Sequence, residues 1–126
     1  MKNFHPINDI EVSLEAAMSS RITMAEFMRG FAISNIELPS AEEVRGDGAG
    51  LSPILFDKGG VMMLALFTDK IRIGTYAERA PYCVSMKAID VMRRIPPGIG
   101  IVVNPGFKLG FEISPDGIRD VLRDFG

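Results

Sequence analysis

The stretch that most constrains this chain is Val61-Met62-Met63-Leu64-Ala65-Leu66-Phe67. Side chains of a β-strand point alternately to the two faces of its sheet. Here both alternating sets are apolar: Val61, Met63, Ala65 and Phe67 on one side, Met62, Leu64 and Leu66 on the other. Such a strand belongs in the middle of a sheet, with cover on both faces. Helices of the same chain or the surface of a partner can supply that cover. The run is far too short to span a bilayer, which takes about 20 apolar residues. Asp57-Lys58-Gly59-Gly60 joins it to Pro53-Ile54-Leu55-Phe56 as a hairpin with a glycine-bearing loop. On its far side Thr68-Asp69 ends the strand and caps a short helix over residues 70–76.

A second buried strand, Ile101-Val102-Val103, stops at Asn104-Pro105-Gly106. Proline fixes φ and glycine permits positive φ, so the triplet reads as a rigid turn, and Phe107 to Ile113 as the returning strand. Asn35-Ile36-Glu37-Leu38, halted by Pro39, and Tyr82-Cys83-Val84 read as short strands.

Helix signals surround these runs. Asn8 with Glu11, and Thr23 with Glu26, have the spacing of capping boxes, flanked by Ile7/Val12 and Ile22/Phe27 as hydrophobic staples. Ile10, Leu14, Ala17 and Met18 share one face of the first helix, with Glu11 and Glu15 pointing away. Met24, Phe27, Met28 and Phe31 form the inner face of the second. Ser85 reads as the cap of a helix with Ala88, Ile89, Met92 and Ile95 inward and Arg93 and Arg94 in its last turn, before Pro96-Pro97-Gly98 breaks it. Ser114-Pro115-Asp116 starts a final helix facing inward with Ile118, Val121, Leu122 and Phe125. The polar stretch from Ser40 to Gly50 reads as a solvated loop. The expectation is one α/β (α+β mixed) domain over residues 1–126: a mixed sheet of about five strands with helices packed against it.

Length and composition agree. The 126 residues suit one domain, and 47% hydrophobic with 24% charged residues is ordinary for a globule with a real core. A net charge of −2 creates no field that would recruit nucleic acid or an anionic membrane. One cysteine, Cys83, excludes an intrachain disulfide and cysteine-rich zinc sites. With no signal-peptide run in Met1-Lys2-Asn3-Phe4-His5-Pro6, the reading is a cytoplasmic protein.

The order of motifs in the carboxy half then carries a resemblance. Leu66-Phe67-Thr68-Asp69 precedes the capped helix, Gly100-Ile-Val-Val-Asn-Pro-Gly106 follows, and Ile113-Ser114-Pro115-Asp116-Gly117-Ile118 closes the series. With the opening helix and the Ile36-Glu37-Leu38-Pro39 strand, this resembles the amino-terminal domain of the SseB family, bacterial proteins named for enhanced serine sensitivity. The resemblance covers nearly the whole chain. It implies no enzyme activity and no catalytic residues, and many relatives carry a second, carboxy-terminal domain. The family name is shared with a secretion translocon component, so no secretion role is carried over.

Catalytic constellations are sought without result. His5, the one histidine, cannot build a triad or a multi-histidine metal site alone. Cys83 reads as a buried inert thiol. Gly46-Asp47-Gly48-Ala49-Gly50 lacks the Lys-Ser/Thr of a phosphate loop, and Gly98-Ile99-Gly100 precedes a strand, the wrong order for a dinucleotide fingerprint. No cofactor, metal, nucleic acid or membrane is expected. The leading expectation is a non-enzymatic module acting by protein contact or self-association, with Thr68, Asp69, Arg72, Asn104, Pro105 and Gly106 at the strand ends as the contact surface. The alternative makes the same loops the polar rim of a pocket for a small ligand or substrate.

Overall fold

Two apolar clusters lie on opposite sides of one strand, and the remaining elements are arranged to cover them. A computed structural model describes residues 5–46 and 49–126. The readings made on Met1–Phe4 and on Asp47 and Gly48 of the glycine-rich loop lie outside the described residues. Chain order is α1 (Asp9–Met18), α2 (Met24–Ala32), β1 (Asn35–Ser40), β2 (Leu55–Lys58), β3 (Val61–Leu66), α3 (Lys70–Ile73), a 3-10 turn (Gly74–Glu78), β4 (Tyr82–Lys87), α4 (Ala88–Arg94), β5 (Gly100–Val103), β6 (Phe111–Ile113) and α5 (Pro115–Phe125).

The expected mixed α/β architecture is present, and the six strands among the described residues divide between two sheets. A four-stranded mixed sheet has the order β2-β3-β5-β6, in which β3 and β5 are parallel and the other pairs antiparallel. β1 and β4 form a separate antiparallel ribbon, joined to the end of β3 by reciprocal backbone hydrogen bonds between Glu37 and Phe67 of 2.8 and 2.9 Å. A parallel pair cannot be closed by a tight turn. The link from β3 to β5 therefore passes through α3, β4 and α4.

β3 sits in the middle, as its two apolar sets require. Leu64 and Leu66 enter the larger core with Ile101 and Val103 of β5 and the inner faces of α1, α2, α4 and α5. Ala65 and Phe67 enter a smaller cluster with Ile73, Phe56, Tyr76 and Val102. This chain's own α3 and 3-10 turn thus supply the second cover. In the larger core Phe27 and Phe31 of α2 meet Phe111 edge-on, with ring centroids 5.3 and 5.2 Å apart, a geometry aromatic quadrupoles favour.

Several local expectations are corrected. Glu11 does not point away: it is fully buried. Met18 and Met24 are half exposed rather than inward, because each lies at a helix end where the apolar stripe has rotated off the core. Ile7 and Val12 are likewise more than half exposed. The strand at Tyr82 runs through Ser85 to Lys87, so Ser85 caps nothing and α4 starts without a capping side chain. The Ser85 hydroxyl instead donates to Glu37 Oε2 across the ribbon at 2.7 Å, which a strand partner offers and a helix would not. The returning strand after Asn104-Pro105-Gly106 is only Phe111–Ile113, and the chain bends at Lys108 and Leu109 before reaching it. The hairpin expected at Asp57-Lys58-Gly59-Gly60 is present, turning between β2 and β3 on Gly59 and Gly60, both at positive φ.

Candidate functional site

Three of the residues singled out at the strand ends meet in one place, around a fourth that the sequence pattern had placed in solvent. Asn8 caps α1 by accepting the Glu11 N–H at 2.9 Å. This is the first half of a capping box. The second half departs from the pattern: Glu11 Oε1 accepts the N–H of Ile7, at 3.0 Å, while the rest of the carboxylate turns inward. The Arg72 guanidinium donates to both of its oxygens, Nη2 to Oε1 at 2.7 Å and Nε to Oε2 at 3.0 Å. The Thr68 hydroxyl donates to Oε2 at 2.6 Å.

Asn104 completes the cluster from the end of β5. Its Nδ2 donates to Thr68 Oγ1 at 2.9 Å, and its Oδ1 accepts the Thr68 N–H at 3.1 Å. Its φ of +53° is a left-handed conformation that asparagine tolerates better than most residues. Two more bonds bring in the chain's beginning: Asn8 Nδ2 to the Thr68 carbonyl at 2.9 Å and Arg72 Nη2 to the His5 carbonyl at 2.6 Å. The guanidinium also lies 5.4 Å from the centroid of the Phe107 ring, within cation–π range.

Burial by itself pushes the Glu11 carboxyl up. The hydrogen bonds from Arg72, Thr68 and the Ile7 N–H, with the Arg72 charge, outweigh it and hold the group below the ordinary carboxylate range. The hydrogen bond to Glu11 raises Arg72 against an opposing effect of burial. Each Glu11 oxygen already accepts two hydrogen bonds. Every buried side-chain nitrogen and oxygen among the described residues has a partner. A carboxylate so placed ties elements together; it offers no lone pair to a substrate proton.

The other singled-out residues stand outside this cluster. Asp69 caps α3, accepting the Ile71 N–H at 3.1 Å. Pro105 and Gly106 line a cleft of about 120 Å3 with Arg72, Tyr76 and Phe107. Cys83 is half-buried and its thiol donates to Glu37 Oε1 at 3.4 Å. Burial, with the Glu37 carboxylate beside it, pushes that thiol up to about 11, consistent with an inert role. No group of His, Cys, Asp or Glu among the described residues could hold a metal ion, and no helix among them is long and apolar enough to cross a membrane.

A second feature was not legible in the residues. A hollow of about 250 Å3 is lined by Leu38, Leu51, Leu64, Met86, Ile95 and Ile99, with Arg94 at its edge. It adjoins a more polar hollow of about 380 Å3 that shares Leu51, Met86 and Arg94 and adds Val84 and Arg45. The nearest signal in the sequence was alternation in Tyr82-Cys83-Val84, which undercounted β4 by half.

Comparison with known proteins returns no matching curated protein and no matching solved structure. It does return a family model, described as SseB protein N-terminal domain, that matches residues 10–120, so the chain belongs to the SseB family.

Proposed function

We propose that this SseB-family domain is a non-catalytic accessory module of the bacterial cytoplasm that works by contact with another protein. One observation carries the reading. Where polar side chains converge, at Glu11, Thr68, Arg72 and Asn104, they hydrogen-bond to one another and to backbone, and each Glu11 oxygen already accepts two such bonds. The cluster clamps the start of α1, the β3–α3 junction and the end of β5, and so sets the loops at one end of the sheet rigidly. Loops held by a rigid scaffold commonly act by binding.

Affinity capture with crosslink mapping, alongside light scattering, tests this. A partner crosslinked at saturable stoichiometry, or a defined oligomer, is expected. A strictly monomeric protein that captures nothing refutes it. A metabolite screen by thermal shift addresses the other reading: a reproducible rise in Tm abolished by Asp69→Ala would move the function to a ligand site at the Thr68-Asp69 and Asn104-Pro105-Gly106 loops.

A further inference from the structure

The strand edges of this molecule are not equally protected. Exposed edges invite pairing with other chains, and proteins blunt them with short strands, charges or proline. β6 has three residues and carries Glu112; β2 has four and ends in Asp57 and Lys58. The Lys58 ammonium and the Glu112 carboxylate also pair at 2.7 Å. The outer edge of β1 is bridged to Phe67 and Pro53 and contains Pro39. β4 differs along its middle, since its one charge, Lys87, is its last residue. It has six residues, its stretch from Tyr82 to Met86 holds neither charge nor proline, and among the described residues only β1 pairs with it.

Met86 of β4 lines both adjoining hollows, and Val84, on the same face of the strand, lines the more polar one. A strand added to the free edge would place its own alternate side chains on that same face. The apolar hollow of about 250 Å3 is ample for one of them, since a cavity of about 150 Å3 accepts a benzene ring. Arg94 stands where the two hollows meet. Its Nη1 donates to the Met86 sulfur at 3.5 Å, and it has no carboxylate partner among the described residues. Its neighbour Arg93, by contrast, is paired with Asp90 at 3.0 Å. An acidic side chain beside the apolar anchor would meet that charge.

We infer that the free edge of β4 accepts an extended segment of another polypeptide by strand addition, with an apolar or aromatic side chain in the Leu38–Leu51–Ile99 hollow and a flanking carboxylate against Arg94. This rests on the contact-module reading and names its surface.

The test uses the full chain and a fluorescein-labelled peptide, Asp-Thr-Phe-Thr-Val-Thr-Asp, whose acidic and apolar residues share one face when extended. Saturable binding is expected by fluorescence anisotropy. Methylating alternate backbone amides of the peptide should abolish it, and Phe→Ala in the peptide should weaken it by about tenfold or more. Arg94→Glu, at an exposed helix end, should weaken it by a similar factor and confer binding of a second peptide in which both Asp residues are replaced by Lys. Leu51→Asp, at an exposed rim position, gives a second variant in which folding is checked by an unchanged Tm. Equal binding to wild type and both variants overturns the inference. So does binding indifferent to backbone methylation, which would make the hollow a site for small amphiphiles. So does a homodimer lost in Leu51→Asp, which would make the occupant a second copy. Should the crosslinked partner of the preceding section bind both variants undiminished, this surface falls while the contact-module reading stands.

Discussion

The Glu11–Arg72 pair gives the sharpest test of how this fold is held. Replacing Glu11 by Gln removes the charge that faces a guanidinium only 9% exposed and puts an amide donor among the donors of Arg72 and Thr68. Breaking a buried pair by removing one partner costs about 3–5 kcal/mol, because the other charge stays behind. A domain is stable by only about 5–15 kcal/mol, so the loss is a large share of the total. At about 2.1 cal/mol/K of unfolding entropy per residue, 126 residues give about 0.26 kcal/mol/K, and Tm should fall by about 11–19 °C. Arg72→Met alone should cost a similar amount. The double variant Glu11→Met/Arg72→Met should recover most of it, since an apolar replacement of a whole buried pair is near neutral. Urea unfolding of wild type, Glu11→Met, Arg72→Met and the double variant, with equal m-values, closes the cycle, and Glu11→Gln is measured beside them. A single variant costing under about 1 kcal/mol, or single losses that simply add in the double, would refute the account of a closed, buried cluster.

Three further outcomes follow from the same structure. Glu11 is held below its ordinary value, so its contribution is complete above about pH 4.3 and is lost as pH falls through the lower folded value; Tm against pH should drop there in wild type and flatten in Glu11→Met/Arg72→Met. Gly100→Ala should destabilise by about 1–3 kcal/mol in chemical unfolding, because its Cβ would lie 2.6 Å from Met63 Sδ and 2.7 Å from the Ile113 carbonyl oxygen, whereas Gly30→Ala, with open space and a helical position in α2, should stabilise by up to about 1 kcal/mol. With its thiol pushed up to about 11, Cys83 should be thiolate in about one molecule in a thousand at pH 8, and should react with a disulfide reagent hundreds of times more slowly folded than unfolded; rapid labelling of the native protein would contradict its pairing with Glu37.

Much of the architecture is legible in the order of residues. The doubly apolar run at Val61–Phe67 implied a central strand, and β3 is one. The caps at Asn8, Thr23, Asp69 and Ser114 all accept the backbone N–H that their spacing implied. These features are local: a cap reaches three residues, and strand alternation needs only neighbours. Glu11 was misplaced because a helical wheel sorts side chains by polarity, and a buried carboxylate is legible only through the cation it meets. That cation, Arg72, lies 61 positions away. Ser85 was misread for a related reason: a serine suits both a helix cap and a strand, and only pairing with Glu37 decides between them.

By itself, then, the order of residues determined where α1, α2, α3 and α5 begin and which strand lies at the centre. Tertiary structure alone decided that Glu11, Thr68, Arg72 and Asn104 close on one another, and that β4 keeps an open edge beside an apolar hollow. The physical reason is range. Caps and alternation are set by bonds between residues a few positions apart, whereas satisfaction of a buried charge, or its absence along a strand edge, depends on which distant segments the packed core brings within about 3 Å.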